Sequence, residues 1–453
     1  MKKFLAIFLG AVFVLGFAAS AFAIHAEIPA ETQAVVAKGA TQISIGGDLR
    51  FRGEATDNTT DFNSSKADHS EYYDGRVRLS VDAKITPNTE GMVMIEAANN
   101  NTATSYTWGQ DATGAYGLYN AGNAKQAQLN VLEAWILHTG SGLLGVPAGI
   151  KVGHMPLALG NSLFFDHSLF GDDAVLVFVD PLKELEVAAL TAKFREGSIY
   201  QNDDATTYVG LFAYNTKEFG ISGDATYVDD QKSFGTAGGA LAGIPTHFWN
   251  FGLRGNVNAG GLGVKVDGEM QSGKIDVADV KFRGYALLAG LSYNLSGVKL
   301  GLDWAYGSGD DNANDGKVKA FVTSLSNMQH FTYVYEYRTV NACGNQHGGL
   351  CNTMYVKGSI GADLMKDLSG NLDVYWLQAN KKILGFGEGG GAATDSKDIG
   401  VELDGKVAYK IDRNLTYWVE GGYLFAGDYW KVLTAGKSPD DAFAVRHGIQ
   451  LSF

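Results

Sequence analysis

The feature that most constrains this chain is a two-residue alternation of apolar and polar side chains, which runs from Thr41 to the C-terminus. In the segment 73–85, apolar residues and glycine occupy every odd position, and charged residues or serine occupy every even position. Successive side chains of a β-strand point to opposite faces, whereas a helix would spread these charges around its circumference. The pattern therefore predicts strands with one apolar and one polar face.

The same alternation predicts 18 strands, with an uncertainty of two, in the 453-residue chain. Most are longer than the ~5–6 residues typical of soluble sheets, and a membrane strand needs roughly 9–11 residues. The predicted strands are 43–54, 73–85, 89–99, 127–139, 147–155, 173–180, 184–196, 205–217, 219–230, 246–259, 261–273, 281–295, 297–306, 353–365, 369–380, 398–411, 413–426 and 441–453.

The connections between these strands alternate between long and short. Odd-numbered connections include 156–172 and 307–352, whereas several even-numbered ones are single residues such as Glu218 and Gly260. Transmembrane barrels have long extracellular loops and short periplasmic turns in this order, and lipid requires that their sheet closes. The sequence predicts a single-domain, all-β, antiparallel up-and-down barrel over residues 41–453, with both termini in the periplasm.

The first 23 residues are predicted to be a secretory signal peptide. Lys2 and Lys3 precede an apolar stretch, and Ala21-Phe22-Ala23 is a small-x-small cleavage site. Residues 24–40 are predicted to be a periplasmic lead, which the sequence leaves open as a short plug, a helix or a disordered segment. The mature chain would then reach the outer membrane through an oxidising compartment.

Composition excludes several classes of function. A net charge of −13 argues against nucleic-acid binding, and two cysteines cannot frame a disulfide scaffold of this length. Neither G-x-S-x-G nor H-E-x-x-H occurs, so no enzyme activity is expected. A barrel of 16–18 strands encloses an aqueous channel. We therefore expect passive diffusion of small hydrophilic solutes; a selective channel for an anionic compound and a scaffold or sheath for a partner protein are the alternatives.

The C-terminal strand resembles the terminal-strand signal of bacterial outer-membrane proteins. Its polar, glycine, apolar and aromatic positions are Arg446, Gly448, Leu451 and Phe453. This resemblance implies recognition by the outer-membrane barrel assembly machinery. Two segments, IKVGHMPLALGNSLFFDHSLFGDD (150–173) and YGSGDDNANDGKVKAF (306–321), are similar to motifs of the alginate-export-like porins. That resemblance implies an 18-stranded pore and carries over no substrate, and a homo-oligomer is left open.

Strand parity predicts which charged side chains point into the lumen. Twelve cationic and thirteen acidic positions face inward, so the overall lining is balanced. A basic sector would lie where the last strand meets the first two, and it comprises Arg50, Arg52, Arg76, Arg78 and Arg446. An acidic sector would lie across the pore, and it comprises Asp224, Asp267, Glu269 and Asp303. Such opposed charge could orient polar solutes, or these charges could merely solvate the wall.

The third long loop, 156–172, is predicted to fold inward and narrow the pore. Leu163, Phe164 and Phe165 would anchor it on the wall, because such apolar residues are unusual in an exposed loop. The residues expected to face solute are Asp166, His167, Asp172 and Asp173. The alternative is a loop that packs over the mouth of the barrel.

The seventh long loop, 307–352, contains both cysteines. Cys343 and Cys351 are expected to form a disulfide, with zinc binding beside His347 as the weaker idea. Asp310, Asp311, Asn312, Asn314 and Asp315 resemble a calcium loop in composition, but the EF-hand spacing fails, so no metal or other cofactor is predicted and a surface calcium is left open. The aromatic run 331–338 could add a strand or hairpin.

Overall fold

The computed structural model describes most of the barrel and its loops. The described residues are 34–38, 41–98, 106–108, 128–142, 145–197, 199–200, 202–231, 245–276, 280–312, 314–325, 331–346, 348–385 and 391–453. The predicted signal peptide and most of the predicted lead lie outside them. Nowhere in these ranges is a helix long and apolar enough to cross a membrane.

Strands of at least nine residues form the wall, and we number them β1 to β18 in chain order. They are Thr41–Asp57 (β1), Ser70–Thr86 (β2), Thr89–Ala98 (β3), Gln128–Ser141 (β4), Pro147–Met155 (β5), Asp172–Leu182 (β6), Leu185–Arg195 (β7), Ala205–Asn215 (β8), Phe219–Asp230 (β9), Thr246–Ala259 (β10), Leu262–Ile275 (β11), Tyr285–Leu295 (β12), Val298–Gly307 (β13), Thr353–Met365 (β14), Leu368–Ala379 (β15), Asp398–Asp412 (β16), Leu415–Ala426 (β17) and Ala442–Ser452 (β18).

Shorter elements decorate the wall and the loops. Strands of two to five residues are Ala34–Lys38, Tyr106–Thr107, Phe165–Asp166, Val280–Phe282, Lys317–Val318, Ser324–Leu325, Ile383–Leu384 and Ala392–Ala393, and a 3-10 helix covers Asp428–Val432. The strand Ala34–Lys38 pairs antiparallel with residues 41–45. The end of the predicted lead therefore folds back on β1 as a hairpin.

Every long strand pairs antiparallel with the next one along the chain, and the sheet closes on itself. The closing pair joins β1 to β18, from Asp48 opposite Ser452 to Asp57 opposite Phe443. Turns after even-numbered strands contain two to five residues, whereas connections after odd-numbered strands contain nine or more. The predicted closed antiparallel barrel of 18 strands is confirmed.

The side chains of the wall alternate as the sequence predicts. On β17, Tyr417 and Val419 are 37% and 42% exposed on the outer face, whereas Trp418 and Glu420 between them are 9% and 8% exposed in the interior. Exposed apolar side chains of this kind are expected on the outer face of a membrane barrel, because that face contacts lipid rather than water. The alternation thus sorts apolar side chains to the outside and polar ones to the lumen.

The apolar core lies inside the extracellular half of the barrel, where the long loops fold inward. The long loops follow the odd-numbered strands, and we number these long loops in chain order. Loop 3 is therefore 156–171, the third connection of the long set, loop 7 is 308–352 and loop 9 is 427–441. Phe165, Tyr335, Tyr429 and Trp430 are fully buried there, and the rings of Phe62 and Trp430 stack with centroids 4.3 Å apart. The lumen is therefore narrowed by loops and not by the wall alone.

Candidate functional site in the barrel lumen

Loop 3 rests on a buried charge cluster that we call the Arg254 cluster. The Arg254 guanidinium on β10 forms ion pairs with Asp224 on β9 and with Asp267 and Glu269 on β11. The distance from Arg254 Nε to Asp267 Oδ1 is 3.3 Å. All four residues are at most 8% exposed. One guanidinium therefore pairs with three carboxylates that are shielded from water.

Contacts from loop 3 to the Arg254 cluster fix the loop on the inner wall. The backbone N and the Nδ2 of Asn161 donate to Asp267 Oδ2 at 3.1 and 3.0 Å. Gly160 has a φ of +57°, and a Cβ there would overlap the guanidinium of Arg254, so both the conformation and the close approach require glycine. The rings of Phe164 and Phe248 stack with centroids 5.7 Å apart. Loop 3 therefore lies inside the barrel.

The predicted acidic sector is divided by this arrangement. Asp224, Asp267 and Glu269 lie beneath loop 3 and are covered rather than open to solute. Asp303 on β13 belongs to a second network, in which Lys357 and Lys265 place their Nζ atoms 2.9 and 3.5 Å from its Oδ2. The four carboxylates lie across the barrel from β1, as parity predicts, but three of them anchor a loop.

The four residues of loop 3 that were expected to face solute do not do so. Asp166, His167 and Asp172 are 2%, 6% and 5% exposed, because hydrogen bonds inside the folded loop hold them. Asp166 Oδ1 accepts from the backbone N of Ser168 at 2.9 Å. Asp173 points to the outer face of β6, where its Oδ1 lies 3.0 Å from His154 Nδ1. The reason is parity, since Asp172 and Asp173 are consecutive strand residues.

The five arginines of the basic sector lie together on the adjacent strands β18, β1 and β2. Four of them have carboxylate partners. Arg52 donates to both oxygens of Asp74, at 2.9 and 2.6 Å, and Arg76 Nη2 lies 2.7 Å from Asp48. The remaining two pairs are Arg78 with Glu96 at 2.5 Å and Arg446 with Glu420.

Arg50 differs from the other members of the basic sector. It lies directly opposite Arg76 on β2 and opposite Gln450 on β18. Its Nε and Nη2 atoms are buried, and among the described residues they have no hydrogen-bond partner. A buried guanidinium without a partner is costly in a protein, and an anion in the lumen would relieve that cost.

The aromatic run 331–338 of loop 7 lies against the inner wall and adds no strand to the sheet. Arg338 Nη2 lies 2.8 Å from Glu54 Oε1, and its guanidinium carbon lies 3.6 Å from the centroid of the Tyr337 ring. Arg446 Nη1 lies 3.5 Å from the Tyr337 hydroxyl. Loop 7 thus contributes a sixth arginine to the neighbourhood of the basic sector, which the strand pattern could not include.

Two inward carboxylates on β16 hold the backbone of loop 7. Glu402 accepts from the backbone N atoms of Val334 and Tyr335 at 2.6 and 2.8 Å, and Asp404 accepts from that of Tyr333 at 3.0 Å. The Tyr375 hydroxyl on β15 donates to the carbonyl of Phe331 at 2.7 Å. Loop 7 is therefore tied to the wall through its own peptide groups.

Glu336 is a buried carboxyl inside loop 7. Its backbone φ is +59°, and its two oxygens accept from the backbone N atoms of Phe331 and Gly349 at 2.7 and 3.1 Å. Burial is the main reason why the pKa of Glu336 is raised to about 8; the backbone hydrogen bonds from Phe331 and Gly349 lower the pKa, and the nearby Glu402 carboxyl adds to the rise. The raised pKa favours the protonated carboxyl at neutral pH.

The disulfide expected in loop 7 is present, and it joins Cys343 to Cys351 with their Cα atoms 5.8 Å apart. Both cysteines are buried. The segment that resembles a calcium loop in composition contains turns and ion pairs. Asp311 Oδ2 accepts from Lys381 at 3.0 Å, which lowers the pKa of Asp311, and the hydrogen bond from Lys319 lowers the pKa of Asp315.

No group of three metal-ligating side chains occurs in the part of the chain that the structure describes. Strand parity placed Arg254, Glu402 and Asp404 on the inner face but did not show that they fasten loops. It could not include Ser324, Glu336 and Arg338, because these residues lie in loop 7.

A family model described as alginate export matches residues 41–443. The chain belongs to the alginate export family. No curated protein matches it in sequence. The family and the barrel make it a porin-type protein of the outer membrane, with lipid on its outer face. The predicted resemblance to alginate-export-like porins is therefore confirmed.

Several solved structures share the barrel fold of this alginate export family member. Pseudomonas aeruginosa OccK9 (OpdG) is 12% identical with a TM-score of 0.56, covering 91% of this chain and 98% of that chain. P. aeruginosa OpdK with vanillate is 11% identical with a TM-score of 0.52, covering 90% and 98%. Acinetobacter baumannii OccAB4 is 10% identical with a TM-score of 0.52, covering 91% and 98%. At these identities the likeness concerns the fold.

The C-terminal motif of this family member lies on the strand that closes the barrel. The backbone N and O of Phe453 pair with Gly47 at 3.0 and 2.8 Å, and Leu451 is exposed on the outer face. Gly448 lies against the ring of Trp418, and Arg446 points inward to Glu420. Its role as an assembly signal stays a prediction.

Proposed function

We propose that this barrel is a passive diffusion channel for small hydrophilic solutes whose aperture is set by loops 3 and 7. The observation that carries this proposal is the pair of buried anchors. Loop 3 is fastened to β10 and β11, whereas loop 7 is fastened to β16, β18 and β1 on the other side of the barrel. Loops held in this way reduce the free cross-section without closing the sheet.

Small solutes suit the lining better than a polymer does. The family description names alginate, which is a polyuronate, and a long polyanion needs a continuous row of unpaired cations. In the basic sector four of five arginines are already paired with carboxylates. We therefore infer that the channel passes compounds small enough to interact with one arginine at a time, and that it has no catalytic role.

A preference for small anions is the second candidate, and the unpaired Arg50 favours it. The ion pairs of the basic sector and loop 7 join six cations, Arg52, Arg76, Arg78, Arg338, Lys406 and Arg446, to five carboxylates, Asp48, Glu54, Asp74, Glu96 and Glu420. Arg50 adds a seventh cation, whose Nε and Nη2 atoms have no hydrogen-bond partner among the described residues. The sector therefore carries an excess of positive charge that would attract anions.

Planar-bilayer recordings of the refolded full-length protein test both candidates. Single-channel conductance with ions of graded size should show a cut-off for small solutes, and reversal potentials in a KCl gradient should show chloride preference. Arg50→Gln should reduce that preference, whereas Arg413→Gln, at an exposed periplasmic turn, should not. A protein that conducts no ions would contradict the channel and favour a scaffold for a partner protein.

We also propose the export route on sequence grounds. Residues 1–23 would direct secretion and be removed, residues 24–40 would remain in the periplasm, and the C-terminal strand would be read by the barrel assembly machinery. Mass spectrometry of the mature protein from outer membranes tests the cleavage after Ala23. An N-terminus at Met1 would contradict it.

A further inference from the structure

Loops 3 and 7 are joined to each other as well as to the wall. Phe165–Asp166 of loop 3 pairs in parallel with Ser324–Leu325 of loop 7. The backbone N of Ser324 donates to the carbonyl of Phe164 at 2.6 Å. This pairing covers only two residues, and an isolated short strand pair is marginally stable in water. A further interaction must therefore hold loop 7 on loop 3 at this contact.

The His167 ring connects the two loops through both of its nitrogens. Nδ1 lies 2.8 Å from Asp172 Oδ2, at the start of β6, and Nε2 lies 2.8 Å from Ser324 Oγ on loop 7. The partners of His167 are separated by 152 residues of sequence, so the ring links two distant parts of the chain. The His167 ring of loop 3 thereby connects strand β6 to loop 7.

Packing restricts the His167 ring to this position. The rings of Phe165, Phe170 and Phe194 surround it, with centroid distances of 4.6, 4.6 and 4.9 Å. The backbone N of His167 donates to the carbonyl of Leu157 at 2.7 Å. Because hydrogen bonds in such a desolvated setting are electrostatically stronger and costly to leave unmade, the junction depends on this side chain.

We propose that His167 is a positioning residue that holds loop 7 on loop 3, so that the two loops form one collar and set the aperture together. The proposal rests on the channel function proposed above. Gln271 on β11 holds Val322 of loop 7 to the wall through two hydrogen bonds, at 2.6 and 2.9 Å. Without the imidazole, the link between loop 7 and loop 3 would be reduced to the two-residue backbone pairing. Loop 7 would then move relative to loop 3, and the aperture would widen and fluctuate.

The order Asp172–His167–Ser324 is also that of a hydrolase triad. Ser324 is half-buried where the two loops meet, and its backbone N donates a hydrogen bond to the carbonyl of Phe164. The imidazole of His167 is enclosed by three phenyl rings. These features favour a link between loops over a nucleophile that faces a substrate. The two roles are separated by labelling, since a fluorophosphonate reacts with an activated serine and not with a structural one.

The test uses His167→Ala and Ser324→Ala in the full-length protein, the second of which leaves the pair of His167 and Asp172 intact. Each variant should conduct more than wild type, admit larger ions, and show at least about 10-fold faster hydrogen exchange at 157–168 and 317–325, as expected for a lost buried hydrogen bond. His138→Ala is the matched control, because the His138 ring also bonds a hydroxyl, that of Thr89 at 3.0 Å, but at an exposed site beside a periplasmic turn, and it should behave like wild type.

Rescue distinguishes positioning from a general loss of structure. Cysteines placed at the paired positions Asp166 and Leu325 in the His167→Ala background should restore the wild-type size limit when oxidised and lose it when reduced. His167→Ala alone, with and without reductant, controls for the native disulfide.

Three results would overturn the proposal: wild-type conductance and exchange in both single variants, no rescue by the oxidised cysteine pair, or fluorophosphonate labelling of Ser324. If the wild-type protein does not conduct, the channel function fails, and hydrogen exchange still decides whether His167 holds the loops together.

Discussion

Removing the charge of Arg254 should release loop 3 from the wall. In Arg254→Leu the side chain is shorter and apolar, and Asp224, Asp267 and Glu269 lose their shared cation. These carboxylate side chains are at most 1% exposed, so water cannot replace the guanidinium while loop 3 stays in place. In the variant, these carboxylates must therefore become protonated or loop 3 must open. Either response weakens the hydrogen bonds of Asn161 that fix loop 3 on the wall.

The expected size of the effect follows from the burial. Breaking a buried ion pair by removing one partner costs about 3–5 kcal/mol. At 1.36 kcal/mol for each factor of ten, the opening equilibrium of loop 3 should rise by roughly 10²- to 10³-fold or more. Hydrogen exchange of peptides covering 156–171 measures that equilibrium, and the single-channel conductance should increase in the same variant.

A matched arginine provides the control. Arg195 pairs with Asp230 at 3.1 Å near the extracellular rim, but its side chain is 40% exposed. A surface ion pair contributes only about 0–1 kcal/mol, so Arg195→Leu should leave exchange in loop 3 and the conductance unchanged. If Arg254→Leu also left both unchanged, the claim that buried charge fastens loop 3 would be refuted.

Three further predictions concern loop 7 and the C-terminal strand that closes the barrel. Because the pKa of Glu336 is raised from 4.5 to about 8, its contribution to the stability of loop 7 is complete below pH 4.5 and is lost as the pH rises to about 8. Hydrogen exchange at 331–346, after correction for its intrinsic increase with pH, should therefore accelerate across this interval, and less so in Glu336→Gln. Cys343→Ser with Cys351→Ser should destabilise loop 7 by about 2–3 kcal/mol by loop-closure entropy, measured by the same exchange. Deleting Phe453, which pairs with Gly47, should lower the amount of folded barrel in outer membranes, measured by heat-modifiable gel mobility.

The strands could be predicted because each wall position faces either lipid or water, whatever the rest of the chain does. Lipid selects apolar side chains and the lumen selects polar ones, so the period of two survives in the sequence. The boundaries differ where a loop interferes. The predicted strand 281–295 starts at Tyr285 in the barrel, because Val280–Phe282 pairs instead with the end of β11 and with Lys317–Val318 of loop 7.

The length of a turn decides which charges meet across a hairpin. The sequence predicted Gly260 alone as the turn before β11, whereas the turn has two residues, 260–261, and such a turn fixes the register of the whole hairpin. Counting back from the observed turn places Arg254 opposite Asp267, and the one-residue turn would not. Parity alone gives only the face on which each charge lies.

The loop contacts could not be obtained in the same way. His167 and Ser324 are 157 residues apart, and no periodicity relates them. Parity also does not reveal whether an inward charge remains open to water or becomes covered by a loop. Glu402 looks like a lumen residue in the sequence, but its carboxylate accepts hydrogen bonds from loop 7 and is fully buried. Loop insertion is a tertiary event, and the strand pattern carries no record of it.

Covering some of the inward charges changes the electrostatics of the pore. The sequence places twelve cationic and thirteen acidic positions on the inner face, which suggests no selectivity. Loops 3 and 7 cover Arg254 together with five carboxylates, Asp224, Asp267, Glu269, Glu402 and Asp404. The inward positions that these two groups leave over are eleven cationic and eight acidic, so we expect the lining that solutes meet to be basic although the chain is acidic. A cation-selective reversal potential at neutral pH would contradict this consequence, because it would require the covered carboxylates to face the pore.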